Sequence, residues 1–360
     1  MRGVMRAGAD DRLRHPICSD TNTIVNCQLG SKMRVTVLTH LERQHSQELD
    51  PVIGQVARAL RRLGHNVSIL AVHADLTKLI SGLKRRKPEL IFNLMETFGH
   101  DEFGAAGLAG VLDLVGIPYT GGGPGETYIQ EDKGLAKKLL AYEKLLYPDF
   151  AVFAPDADLE TGGKLRFPLF VKPLRMEASI GIDGKSLVRT VPELMDRIKQ
   201  IHAEVHDAAL VEEYIEGREI YVGVLGNHDP RAFPPVEIDF AQLPNGQPHI
   251  VGAKAKWDEK STQYRGTRPM PARLSDEVRA RVNKAALLAY RALRVRDYGR
   301  IDLRLTQAGE VYVIEVNASC YLEKSTEFVM AAAEAGLDYE NLVNGIVDHA
   351  MERRKQALCL

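Results

Sequence analysis

The sequence predicts an α/β protein with a parallel-sheet domain first and antiparallel strands mixed with helices after it. Three observations carry that prediction. From Met33, short β-branched runs alternate with amphipathic stretches, as in a parallel sheet covered on both faces. Further on, Arg218–Leu225 and Pro235–Phe240 read as antiparallel strands about a turn opened by Gly226-Asn227-His228-Asp229. A late hairpin, 299–305 and 311–317 about Gln307-Ala308-Gly309, alternates apolar and polar residues in both arms, so each arm has one face on a core.

The 360 residues, 45% hydrophobic and 26% charged, suffice for a large core and two or three domains. A formal net charge of −1 supplies no global field for nucleic acid or an anionic membrane surface. No apolar run reaches the roughly 18 residues of a membrane span. The expectation is therefore a cytoplasmic protein with neither nucleic acid nor membrane as partner. Cys18, Cys27, Cys320 and Cys359 lack CxxC or ligand-like spacing and read as free thiols of a reducing compartment. Residues 1–32 contain Arg2, Arg6, Arg12 and Arg14 without an apolar stretch of signal-peptide type. They read as a mobile extension, with Met33 a candidate functional start.

In chain order, Val35–Leu38 reads as a strand and Pro51–Leu63 as a helix whose stripe is Val52, Ile53, Val56, Leu60 and Leu63, ended by Gly64. Val67–Leu70 is a strand, Leu76–Arg86 a basic-tailed helix and Leu90–Leu94 a strand. A helix from Gly104 to Val115 leads to Gly121-Gly122-Gly123. No G-x-G-x-x-G follows the first strand, so dinucleotide binding is not indicated. A lysine-rich helix is expected from about Tyr128 to Leu146, then the strand Phe167–Pro173. A helix opening near Pro192 runs to about Val205 and leads to the strand Ala209–Ile215. The segment Gly252–Pro271 reads as a polar loop long enough to be a lid. A helix from Ser275, a plausible N-cap, to Leu293 precedes the hairpin, and helices at about Lys324–Ala335 and Tyr339–Arg354 end the fold.

The hairpin concentrates chemistry. If Ile301, Leu303 and Leu305 share a side with Tyr312, Ile314 and Val316, then Leu303 lies opposite Ile314 and Asp302 opposite Glu315. Asn317 repeats Glu315's face two residues on. Asp302, Glu315 and Asn317 then converge beside Arg300, either as hard oxygen ligands suited to Mg²⁺ or as a solvated outer face. Lys172, at the end of an apolar strand, is either a snorkelling edge residue or a point charge for a phosphate. The loop 175–181 could fold its amides around phosphate oxygens. The stretch Glu212-Glu213-Tyr214-Ile215 is a hinge able to receive an adenine ring, or a plain linker. Lys254-Ala255-Lys256-Trp257 lies in the lid.

Taken in order, these stretches resemble the ATP-grasp enzymes, most closely the D-alanine–D-alanine ligase-like branch. The matching segments are Phe92-Asn93-Leu94, 116–121, Asp132-Lys133, Val171-Lys172-Pro173, Ser179-Ile180-Gly181, Val211-Glu212, Glu219, Ala255-Lys256-Trp257, Thr262-Gln263-Tyr264, Gly299–Asp302 and Glu315-Val316-Asn317. The resemblance runs from about Met33 to Arg354. It implies an ATP-grasp fold with an N-terminal Rossmann-like domain (33–123) and two α+β lobes clamping ATP (124–215 and 216–356).

Carried over residue by residue, the resemblance makes Lys133 and Lys172 grips for the nucleotide phosphates. Glu212, Glu213, Tyr214 and Ile215 become the adenine hinge, and Glu219 the acid for the ribose hydroxyls. Ser179 belongs to the loop closing over the γ-phosphate and Lys256 to the lid that contacts it. Asp302, Glu315 and Asn317 become ligands of two Mg²⁺ ions, or Mn²⁺ in their place. Arg300 becomes the residue stabilising an acyl phosphate and tetrahedral intermediate. The implied reaction is ATP-dependent joining of a carboxylate to an amine through an acyl phosphate, in a homodimer by analogy. A D-alanine–D-alanine ligase proper and a small-molecule kinase on the same fold are the alternatives.

The match lapses on the amino-acid side. Glu96 stands where the ligases place histidine, and Thr39–His45 does not match their glycine loop and glutamate. Ala178-Ser179 keeps one of two serines, and Trp257 replaces tyrosine. Ser319-Cys320-Tyr321, then Thr326-Glu327, stand where those enzymes have Ser-Pro-Gly and a serine for the product carboxylate. Glu96, Trp257, Tyr321, Thr326 and Glu327 are the candidate substrate residues. Glu96, Asp101 and Glu102 either recognise an ammonium or guanidinium group or are solvated loop acids. The expected substrates are amino-acid or peptide-like, other than two D-alanines.

Overall fold

The computed structural model describes residues 32–41, 49–99, 103–155, 160–162, 164–176, 179–244 and 247–358. Residues 32–360 form one compact unit. The N-terminal stretch to Ser31, Glu42–His45, His100-Asp101-Glu102 and Ala178 lie outside the described residues, as does the side chain of Trp257.

The first sheet contains β1 (Arg34–His40), β2 (Asn66–Val72) and β3 (Leu90–Asn93), parallel in the order β2-β1-β3. Helices α1 (Pro51–Arg62), α2 (Leu76–Arg86) and α3 (Gly104–Val115) connect and cover it. Alternation divides its side chains between two cores. Val35, Val37, Leu90 and Phe92 pack with the stripe of α1, while Leu38, Leu70 and Ile91 pack with Leu79, Leu83, Leu108 and Leu112. Asp50 caps α1 by accepting from the Val52 amide at 2.8 Å, and Asp75 caps α2 by accepting from Lys78 at 2.9 Å.

The lysine-rich helix expected over 128–146 is two helices, α4 (Pro124–Glu131) and α5 (Lys133–Tyr142). Asp132 leaves helical geometry at φ −94° and ψ 92° and accepts from the Leu135 amide, so it ends one helix and caps the next. Lys133 thereby opens α5. The second sheet follows: β4 (Phe150–Phe153), β5 (Glu160–Gly162), β6 (Leu169–Pro173), β7 (Leu187–Val188) and β8 (Ala209–Glu213), antiparallel in the order β5-β4-β8-β6-β7. Helix α6 (Val191–Gln200) continues as a π-helical turn to Val205. It packs on Leu169, Val171, Ala209 and Val211. Period two turns Phe170, Lys172 and Glu212 to the opposite face.

The third sheet holds β9 (Arg218–Leu225), β10 (Arg231–Ala232), β11 (Val236–Asp239), β12 (Arg268–Pro271), β13 (Tyr298–Leu305) and β14 (Val311–Ala318). Its path is β12-β11-β9-β13-β14, with β10 on β9. Between β11 and β12 the expected polar loop contains two short helices, α7 (Ala253–Trp257) and α8 (Thr262–Gly266), and its last four residues are β12 itself. Helix α9 (Asp276–Ala292), capped by Ser275, buries Val282, Ala286 and Ala289 against Ile220, Val222, Ile301 and Leu303. Helices α10 (Glu327–Glu334) and α11 (Tyr339–Leu358) close the chain, and residues of both join the core of α1. Among the described residues no helix is long and apolar enough to cross a membrane.

The hairpin register needs one correction. Asp302 does face Glu315, but a β-bulge follows, and Leu303 faces Val313 rather than Ile314. One extra residue on β14 reverses the side-chain alternation at that point. Val313 and Val316 therefore enter the core, while Ile314 and Glu315 both line the cleft.

Candidate active site

The polar faces of the second and third sheets front a cleft with about 750 Å³ of empty space. Lys172, Glu212, Glu213, Tyr214 and Ile215 line it from one side, and Glu219, Asp302 and Glu315 from the other. Ser179 comes from the loop after β6 and Lys256 from α7. Residues that lie apart in the sequence thus border one cavity.

Lys172 is 4% exposed and on a strand paired on both sides, so it is not a snorkelling edge residue. Its Nζ lies 3.2 Å from Glu212 Oε2, while Lys137 Nζ lies 2.7 Å from Glu212 Oε1. Burial opposes ionisation of Glu212, but Lys137 and Lys172 outweigh it and hold the carboxyl below its ordinary range. Burial lowers the Lys137 pKa, with Glu212 opposing. Two lysines on one carboxylate leave this floor of the cleft net positive, as polyphosphate binding requires. Lys133 donates to the Met176 carbonyl at 2.9 Å and approaches Glu315 at 3.3 Å.

At the hinge, Tyr214 donates its amide to Pro168 and its hydroxyl to the His249 carbonyl. Glu213 turns outward to Arg166, 2.9 Å away. Only the side chain of Glu212 points into the lysine pair, so any reading of an adenine edge falls to hinge backbone. Glu219 accepts from Tyr221 and from Arg304, each at 2.6 Å. Arg304 also donates to the carbonyls of Gly217 and His249 and lies over the Tyr214 ring. It ties Glu219 to the hinge.

Ser179 is a non-glycine residue in the left-handed region, φ +62°, and its Oγ donates to the Val251 carbonyl at 3.0 Å. That contact links the loop after β6 to the segment ahead of α7.

On the hairpin, Arg300 donates to both carboxylate oxygens of Asp302, at 2.7 and 2.9 Å, and to Glu327 at 3.2 Å. Asn317 donates to Asp302 at 3.2 Å. Burial pushes the Asp302 pKa up to about 6 against the pull of Arg300. Burial acts the same way on Glu315, but Lys133, Lys172 and Lys256 overcome it and bring its pKa down to about 2. Among the described residues there is no group of three or more His, Cys, Asp or Glu placed to hold a metal. The set here is two carboxylates and one amide, all hard oxygen donors, and each carboxylate has lone pairs beyond those its cation uses. Such a set fits Mg²⁺ or Mn²⁺ shared with phosphate oxygens, and suits zinc poorly.

The substrate-side candidates lie beyond Arg300. Tyr321 donates to Asp50 at 2.6 Å, joining the segment after the hairpin to the cap of α1. Gln55 on α1 donates to Glu323 and accepts from the Lys324 amide. Glu96 is exposed, and its charge is felt at Tyr321 and Tyr298. The Thr326 hydroxyl donates to the carbonyls of Tyr321 and Glu323, inside its own loop. Gly121 shows why glycine recurs beside this loop. Its φ is +89°, and an added Cβ would lie 2.2 Å from Ser319 Oγ.

Sequence reasoning missed Lys137 and Arg304. Each had a signal: Lys137 follows Lys133 by one helical turn, and Arg304 repeats the face of Asp302 two residues on.

Comparison with known proteins extends the geometry. The family model for the C-terminus of D-ala D-ala ligase matches residues 133–348. A D-alanine–D-alanine ligase from Desulforudis audaxviator is 33% identical over 304 residues, covering 83% of this chain and 92% of the relative. An uncharacterized protein of Sinorhizobium fredii, y4sG, is 30% identical over 311 residues, 84% of this chain and 88% of its own. Among solved structures, a D-alanine–D-alanine ligase from Bacillus anthracis complexed with ATP superposes with a TM-score of 0.72 at 22% identity, covering 91% of this chain and all of that one, a likeness of fold.

Proposed function

The chain belongs to the D-alanine–D-alanine ligase family and is an ATP-grasp ligase, and from that premise we propose that it joins a carboxylate to an amine other than two D-alanines. The observation that carries the reading is the cleft itself. Lys172, Ser179, Lys256, the hinge, Glu219 and the hairpin acids all border it, and Arg300 is bonded to one of those acids.

In this proposal the hinge 212–215 receives the adenine and Glu219, oriented by Arg304, takes the ribose hydroxyls. Lys133, Lys172 and Lys256 neutralise the phosphates, which lets an anionic carboxylate approach the γ-phosphoryl group in line. Asp302, Glu315 and Asn317 would hold the metal, which when bound would supply positive charge against the phosphates. Arg300 meets the charge that develops on the acyl phosphate and the tetrahedral intermediate. Ser179 and the lid 252–271 exclude water, which would otherwise hydrolyse the acyl phosphate. We take 33–123, 124–215 and 216–356 as the working lobes.

The substrate side supports a pair other than two D-alanines. Tyr321 fills space where the resembled ligases have glycine, and Glu96 replaces a histidine. The name of the Desulforudis audaxviator relative favours D-alanine itself as the second reading. A screen of amino acids and dipeptides for phosphate release with ATP and Mg²⁺ separates the two. Hydroxylamine added to that screen traps an acyl phosphate as a hydroxamate. ADP release from an alcohol without hydroxamate would instead reveal a kinase.

A further inference from the structure

We infer that Glu327 is a specificity residue that occupies Arg300 from within the chain and selects an acceptor amine lacking a carboxylate. The inference deepens the ligase reading above and rests on it.

The geometry begins at Arg300. Its Nε and Nη2 form the two-pronged bond to Asp302, its Nη1 reaches Glu327, and the Tyr221 ring lies 4.6 Å from its guanidinium carbon. An arginine aimed at a ligase site is a ready receptor for a substrate carboxylate, because its planar fork matches two oxygens at once. Here both prongs and the remaining nitrogen hold acids of the chain itself, which leaves the second N–H of each terminal nitrogen for the reacting groups and no open fork for a further carboxylate. The side chains concerned are only 11% and 22% exposed for the Arg300–Glu327 pair, so solvent does little to loosen it.

Thr326 behaves in the same way. Its hydroxyl, a second donor in this segment, is spent on two carbonyls of its own loop. Glu327 is also the first residue of α10, where the helix dipole favours an acid and fixes its backbone. A carboxylate-bearing acceptor would have to displace Glu327 or bring a like charge beside it. An acceptor without that group meets no such repulsion, and if cationic it is attracted. The chain thus discriminates by repulsion as much as by contact.

The experiment uses the whole protein with ATP and Mg²⁺, amino acids as donors, and matched acceptors: alaninamide against alanine, cadaverine against lysine, agmatine against arginine. Wild type is expected to favour the carboxylate-free member by about ten-fold or more in kcat/KM. Glu327→Gln is expected to cut that ratio at least about five-fold, chiefly through a lower KM for the carboxylate-bearing member. Equal use of both members by wild type overturns the inference even if the variant does not fold, and so does an unchanged ratio in a folded variant. Hydroxamate formation with hydroxylamine reports the ligase reading separately. Its presence with equal acceptor use overturns this inference alone, and its absence overturns the ligase reading on which the inference stands.

Discussion

Lys137 Nζ lies 2.7 Å from Glu212 Oε1, and both side chains are almost wholly excluded from water, at 2% and 3% exposure. A buried ion pair adds little net stability over an apolar substitute, but removing one partner strands the other. Here the stranded group would sit beneath the cleft, so the consequence is both structural and functional.

Lys137→Ala should cost about 1.5–3 kcal/mol, the loss of one charged hydrogen bond, because Glu212 keeps Lys172. Thermal unfolding of the variant beside wild type measures it. A fall in stability below about 1 kcal/mol would show that the pair is not held as the geometry indicates.

Acid should act through the same residue. The Glu212 pKa is depressed in the fold. Its contribution is therefore fully present above the ordinary carboxylate value and lost as pH falls through the lower folded value. The acid limb of the stability–pH curve should be shallower in Glu212→Gln than in wild type. Parallel acid limbs would refute this.

Arg304→Lys keeps the charge but loses the fork that bonds Glu219 and two carbonyls. Losing one charge-assisted bond at about 1.5–3 kcal/mol predicts a rise in the KM for ATP of roughly ten-fold or more. The kcat should change far less. A kcat loss at unchanged KM would place Arg304 outside nucleotide binding.

Glu315→Gln should abolish turnover, by about 10³-fold or more, with little loss of fold. The readouts are phosphate release, magnesium binding by calorimetry and melting temperature. An active variant would reject Glu315 as a ligand.

Tyr321→Gly removes the ring and its bond to Asp50. It should alter the acceptor or donor profile several-fold while the affinity for ATP stays within about two-fold, since Tyr321 lies outside the residues lining the cleft proposed for the nucleotide. An unchanged substrate profile would remove Tyr321 from the pocket.

Much of this protein is legible in one dimension because its signals are local. Strand and helix periods and Ser275 as a cap follow from neighbours within a few residues, and the pairing of Asp302 with Glu315 follows from the two arms of one hairpin. The helix break at Asp132 was equally local, but the surrounding helical pattern hid it. What the sequence alone determined is therefore the order of the elements and the residue types at the nucleotide end. The tertiary structure decided the rest. The burial of Lys172 beside Lys137 and the bonds of Arg304 to Glu219 and of Arg300 to Glu327 depend on partners far along the chain, and the bulge that turned Ile314 to the cleft breaks the alternation that either arm shows alone. Register and ion pairing between distant segments are set by three-dimensional packing, and no local pattern encodes which acid a buried cation will meet.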